Sequence, residues 1–134
     1  MTFTLTFIKG WDSGTNKLES PTPEMIEQAI DDLLPVRGYF VILESKQLVN
    51  SIEYIQTVIK DDDESTIEYL VEVHERTDES FIQHRKFFAD VNEVKKMFRM
   101  FALELPPDVA GWEDVTAETK GLPPPEVQRK NSNG

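Results

Sequence analysis

The sequence predicts a single α+β domain, an antiparallel β-sheet of about five strands with two helices packed on one face. Two segments place apolar residues at helical spacing, each behind a capping residue and before a proline. The remaining runs are strand-like, several alternating with a period of two, and short polar connections join them, too short for parallel crossovers. The order β-α-β-β-β-β-α segregates the helices to one face and leaves the other partly open.

The segment Thr2–Lys9 sets Phe3, Leu5 and Phe7 against three threonines, as a half-buried strand does. Gly10 to Ser20, rich in Gly, Ser and Asn, is expected to form a loop with Trp11 folded back on the core edge. Thr22-Pro23-Glu24 supplies an N-cap, a proline at the first helical position and an acid at the positive end of the dipole. Met25, Ile26, Ala29, Ile30, Leu33 and Leu34 form the apolar stripe of that helix, and Pro35 is expected to stop it. Tyr39–Glu44 is nearly all apolar, which predicts a central strand buried on both faces, followed by a polar connection from Ser45 to Asn50.

The runs Ile52–Ile59 and Thr66–His74 flank the loop Asp61-Asp62-Asp63-Glu64, and a third run, Phe81–Phe88, follows. In the first, Ile52, Tyr54, Gln56 and Val58 are expected to share one face; in the second, Glu68 and Glu72 share the face opposite Ile67, Tyr69, Val71 and Val73. Asp90 and Glu93 have the spacing of a capping box, opening a helix whose apolar side is Val91, Val94, Met97, Phe98, Phe101 and Leu105 and which Pro106-Pro107 ends. Met25, Met97 and Met100 fit a core better than a cofactor pocket. Gly111-Trp112-Glu113 closes the domain, taken as residues 1–115, and residues 116–134, with Pro123-Pro124-Pro125, are expected to form a flexible tail.

No cysteine is present, which excludes disulfides, a thiol nucleophile and cysteine-ligated metal, and fits a reducing, cytoplasmic location. No apolar run reaches the length of a spanning helix, and the N-terminal residues alternate where a signal peptide would be continuously apolar. The net charge of -11 is uneven. Between residues 61 and 79 the acids Asp61, Asp62, Asp63, Glu64, Glu68, Glu72, Glu75, Asp78 and Glu79 face Arg76 alone, whereas residues 84–100 carry a basic excess. Such a surface repels nucleic acid and anionic membrane and attracts a basic partner.

Catalytic patterns are weak. His74 and His84, with Glu68 or Glu72, sketch a metal site or general base only if the strands bring them together; ordinary half-exposed strand residues are the favoured reading. Asp61–Glu64 lacks the alternating ligands and glycine of a calcium loop. Phosphate-cradling, nucleophile-elbow and dinucleotide motifs are absent from the sequence. The expectation is a protein without enzymatic activity, cofactor or metal, whose binding surface comprises Asp61, Asp62, Asp63, Glu64, Glu68 and Glu72, with Tyr54 and Trp112 as aromatic anchors. Trp11 and Tyr39 are further anchor candidates.

In the order Ser20–Leu33 (with Ser20-Pro21-Thr22-Pro23-Glu24), Tyr39–Glu44, Glu53-Tyr54-Ile55-Gln56, Glu68–Val73, Asp90–Phe98 and Gly111-Trp112-Glu113, the chain resembles small bacterial immunity proteins of polymorphic and contact-dependent toxin systems. The likeness covers residues 20–115. It implies binding to a cognate toxin domain, often a nuclease, by blocking its active site or its substrate, without catalysis. The proline-rich tail departs from that pattern, and the partner-binding residues named above rest on the charge reading alone. The alternative is an acidic secretion chaperone that binds an effector; those resembling the type III class usually begin with a helix, whereas this chain begins with a strand.

Overall fold

The computed structural model describes residues 2–8, 14–36, 38–60 and 67–119. The alternation near the N-terminus forms β1 (Phe3–Ile8), which pairs with β2 (Thr15–Glu19) on one side and β3 (Val41–Val49) on the other. Helix α1 (Pro23–Asp31) lies between β2 and β3 in the chain; β4 (Ile52–Ile59), β5 (Tyr69–Arg76) and β6 (Phe81–Phe88) follow, then α2 (Val91–Ala102), β7 (Glu113–Asp114) and a helical turn, α3 (Thr116–Thr119). All strands join one antiparallel sheet in the order β2-β1-β3-β4-β5-β6-β7. The α+β class and the antiparallel sheet are as the sequence predicts, and the sheet is larger: the described residues form seven strands and three helical segments.

One face of this sheet carries Phe3, Leu5, Val41, Leu43, Ile55, Val71 and Val73, all buried against Ile26, Ala29 and Ile30 of α1 and Val94, Phe98 and Phe101 of α2. Phe3 and Phe101 meet edge to face at 5.4 Å, tying the first strand to the last turn of α2. The helices lie side by side, and their charges match across the seam. Lys95 Nζ is 3.0 Å from Asp31, and Arg99 is 3.6 Å from Glu27. The basic excess of residues 84–100 is thus partly spent on the acids of α1.

Several boundaries differ from expectation for identifiable reasons. Part of the predicted loop is β2, whose alternation Thr15-Asn16-Lys17-Leu18-Glu19 holds one apolar residue, too few to signal a strand. Tyr39–Glu44 is not a doubly buried strand: β3 starts at Val41, and Glu44 is exposed. The expected polar connection Ser45–Asn50 is mostly strand, because Asn50 and Ser51 alone make the turn. Both have positive φ, 49° and 76°, the requirement of a two-residue type I′ hairpin. A register shift between Ile52 and Tyr54 puts Ile52 in the core while Tyr54, Gln56 and Val58 point away from it.

Thr22 caps α1, its hydroxyl accepting from the Met25 N–H at 3.2 Å, and Asp90 caps α2 by accepting from the Asn92 N–H at 2.8 Å. Both helices end before their prolines. In α2 the Leu105 N–H bonds to the Met100 carbonyl and the Glu104 N–H to that of Phe101, a Schellman stop with Glu104 at φ 65°. This early turn leaves Leu105 exposed, and Met25 and Met100, expected in the core, lie on outward helix faces.

Left-handed backbone costs a non-glycine residue about 1 kcal/mol. Ser51→Gly and Glu104→Gly are each expected to raise unfolding free energy by about 1 kcal/mol. Urea denaturation midpoints at unchanged slope provide the check.

Candidate functional site on the helix-free sheet face

Strand alternation sends the other half of the side chains to the face that α1 and α2 do not cover. Because the register is known, they fall into rows across the sheet. One row is Glu44, Tyr54, His74 and Gln83; the next is Ile42, Gln56, Glu72, Arg85 and Glu113; a third is Val58, Leu70 and Phe87. The first two rows hold a buried polar network. Glu72 and His74 are each 8% exposed and Gln83 is fully buried, although α1 and α2 pack on the other face and only the short turn α3 lies on this side among the described residues.

Glu72 stands at the centre. Its Oε1 accepts from Gln83 Nε2 at 2.9 Å and Gln56 Nε2 at 3.3 Å; its Oε2 accepts from Arg85 Nη2 at 2.9 Å and Nε at 3.1 Å. A carboxylate only accepts, so it fixes the Gln83 amide with nitrogen inward and oxygen toward His74. That oxygen lies 2.7 Å from His74 Nδ1, which therefore carries a proton and donates. The imidazole is stacked between Tyr54, at 4.7 Å, and Phe81, at 4.5 Å. Its Nε2 lies 3.7 Å from Glu53, whose other oxygen accepts from Arg76 at 2.7 Å.

Gln83 also organises the C-terminal segment. Its carbonyl accepts from the Val115 N–H at 2.8 Å and its N–H donates to Thr116 Oγ1 at 3.0 Å. Val115 is buried, and Glu118 reaches Arg85 at 3.4 Å. Structured chain therefore extends past the predicted boundary at residue 115 to Thr119, and residues 120–134 lie outside the described residues.

Two titrations follow from this burial. Burial pushes the Tyr54 phenol above its ordinary 10.0; the Gln83 amide pulls against this, and the carboxylates of Glu72, Glu53 and Glu44 add to it. Burial opposes the charge on Arg85, but the hydrogen bonds and charge of Glu72, with Glu118 and Glu113 behind it, win and raise its pKa further.

The predicted binding residues are divided by the fold. Asp61, Asp62, Asp63 and Glu64 lie outside the described residues. Glu68 and Glu72 share the helix-free face as expected; Glu68 is partly exposed and 3.9 Å from Lys60 Nζ, whereas Glu72 is buried and neutralised. Tyr54 is half-buried in the same face. Trp112 belongs to the opposite side, packed edge-on to Phe88 at 5.8 Å and against the core, so one flat contact cannot hold both aromatic residues.

The histidines are also separated. His84 points to the helix side, opposite Val73, and pairs with Glu75 at 2.8 Å. Glu68, Glu72, His74 and His84 thus do not converge, and His74 is more buried than the half-exposed strand residue expected. Among the described residues no three His, Cys, Asp or Glu side chains are grouped to hold a metal ion, and no helix is long and apolar enough to cross a membrane. Trp11 lies outside the described residues, and Tyr39 packs on the core. Sequence reading missed Gln83, Arg85 and Phe81; strand alternation places them on the face of Glu72 and His74, but only the β5–β6 register shows which meet. No protein family, curated protein or solved structure matches this chain.

Removing one partner from a buried, hydrogen-bonded ion pair strands the other. Glu72→Gln is expected to lose about 2–4 kcal/mol, and Glu72→Leu/Arg85→Met to remain destabilised because the buried Gln83 amide loses its acceptor, as measured by denaturant unfolding. Tyr54 should ionise above pH 10 in the folded protein. Since its folded pKa is raised, its contribution to stability is complete below its unfolded pKa and disappears as pH rises through the folded one. Ultraviolet difference titration of wild type against Tyr54→Phe checks the sign.

Proposed function

We propose that this protein neutralises a basic toxin domain by binding it stoichiometrically, with the sheet face opposite α1 and α2 and the acidic residues 61–64 that follow β4 in sequence as the contact surface. The carrying observation is the split between the two faces. Two helices bury one, while the other presents Glu44, Glu53, Glu68 and Glu113 at or near the surface around Tyr54, and among the described residues those at 113–119 lie against its β6 side. An antiparallel sheet with one uncovered face is a ready platform for another protein.

The electrostatics give this platform a preferred partner. Lys95 and Arg99 are engaged by α1 on the far side and Arg85 by Glu72; on the face itself Arg76 pairs with Glu53 and Lys60 lies 3.9 Å from Glu68, so the negative excess comes chiefly from Glu44, Glu113 and the sequence that follows β4. Asp61, Asp62, Asp63 and Glu64 extend the same sign beyond the end of β4 in sequence. Long-range attraction would speed encounter with a basic surface, and Tyr54 would supply desolvated contact. A nuclease toxin, whose substrate is polyanionic, fits this chemistry, and the protein acts in the cytoplasm on such a target. The secretion-chaperone alternative shares the charge argument, but no specific observation favours it.

Co-expression with the product of the neighbouring gene tests the function. The expected outcome is toxicity of that product alone, growth when both are made, and co-purification in a fixed ratio. A non-toxic neighbour that is merely unstable without this protein would replace the proposal with the chaperone reading. Neutralising Asp61, Asp62, Asp63, Glu64 and Glu68 together should slow association by about tenfold or more at low salt and flatten its salt dependence, measured by stopped flow. Glu72 is left out of that set because its loss would act on folding.

A further inference from the structure

Strand β2 ends the sheet on one side, and among the described residues no strand pairs with its outer edge. Its pairing with β1 decides which backbone groups that edge presents. The Ser20 N–H bonds to the Phe3 carbonyl at 2.8 Å, so by alternation Leu5–Leu18 and Phe7–Asn16 are the other hydrogen-bonded pairs of the two strands. The N–H and C=O groups of Lys17 and Glu19 therefore point outward, where another strand can take them up. The side chains of Lys17 and Glu19 are exposed, and both lie on the sheet face opposite α1 and α2. Leu18, half-buried on the helix side with Leu5, lines a groove of about 350 Å³ with Phe7, Ala29 and Met25, and Met25 is 47% exposed.

We propose that β2 pairs antiparallel with β2 of a second copy of this chain, centred on Leu18, so that two sheets join into one. A symmetric pairing can be centred on Asn16, Lys17 or Leu18 and keep the outward backbone groups opposed. Centring on Lys17 sets two lysines against each other, and centring on Asn16 puts Leu18 opposite Gly14, which has no side chain. Centring on Leu18 places Lys17 of each copy opposite Glu19 of the other, twice, with backbone bonds between those residues, and brings the two Leu18 side chains together beside the Met25 groove. The edge thus carries its own complement in charge and in apolar contact. Ser20, at φ 51°, and Pro21, which lacks an N–H, stop the ladder just beyond Glu19. The two-fold axis of such a pair stands perpendicular to the sheet, so the helices of both copies lie on one side and the two uncovered faces on the other. The contact surface proposed above stays open, and the dimer does not rest on that reading.

The chain has no cysteine, so single cysteines report the register. Centred on Leu18, the two Leu18 Cα atoms form a non-hydrogen-bonded pair about 4.5 Å apart, within disulfide reach. The two Asn16 Cα atoms are then about 14 Å apart, well beyond it. Full-length Leu18→Cys is expected to form a disulfide dimer under mild oxidation about tenfold or more faster than Asn16→Cys. Sedimentation equilibrium of the unaltered chain, in about 0.15 M salt to screen the net charge, should show reversible dimerisation. Lys17→Glu, which sets like charges at both contacts, should weaken it about tenfold, whereas Lys96→Glu, the same charge change at an exposed position on α2, should alter it less than about twofold. Unchanged circular dichroism establishes that the variants are folded. A monomer at every concentration up to about 1 mM, cross-linking at Asn16→Cys as fast as at Leu18→Cys, or equal effects of the two charge reversals overturns the inference.

Discussion

The Glu72 carboxylate is the constraint around which the uncovered side of this protein is arranged. A buried charge costs several kcal/mol unless its hydrogen-bonding capacity is filled, and here four N–H groups from three residues fill it. Those residues sit on β4 and β6, on either side of β5. A slip of any of the three strands by one residue would turn Glu72 or its partners to the apolar side. The network therefore specifies register on the face where packing against helices does not. Gln83 carries the same specification outward, since one side chain orients His74 and its backbone holds residues 115 and 116.

Burial of this network without α1 or α2 over it follows from its own side chains and the short turn α3. Tyr54 and Phe81 stack on His74, Arg85 lies over Glu72, and α3 adds Glu118 at the edge. The result is a polar interior layer roofed by aromatic and guanidinium planes. It separates two kinds of charge that look alike in sequence: Glu72, which is spent internally, and carboxylates such as Glu44 and Glu68, which remain at the surface. Net charge alone cannot make that distinction, because exposure depends on which strands become neighbours.

What was legible in the sequence was whatever period and caps encode. Both long helices, their N-caps at Thr22 and Asp90, and the strand runs beginning at Phe3, Ile52 and Phe81 follow from local pattern. Strand β2 was not legible, because an edge strand needs only hydrogen bonds to β1 and little apolar content. The Asn50-Ser51 turn was hidden by serine in a position where glycine is the usual signal. The register shift after Ile52 reversed the faces of one residue, a change that no strict alternation can anticipate. For the candidate site, alternation placed Glu68 and Glu72 on one face, but separating Tyr54 from Trp112 and His74 from His84 required the pairing of β5 with β6.

These placements also decide where on the helix-free face a partner has energy to gain. At the centre, every strong acceptor of Glu72 is already used, and insertion there would have to break several charge-assisted bonds for each one formed. The row of Val58, Leu70 and Phe87 carries no such network: its apolar surface is partly wet, and Lys60 and Glu68 stand beside it. Burying that row releases water at little polar cost, while the charges around it choose the sign of what arrives. For the proposed partner, affinity would therefore come from the β4–β5 end of the face and specificity from its acidic rim, with the central network as the rigid floor beneath both.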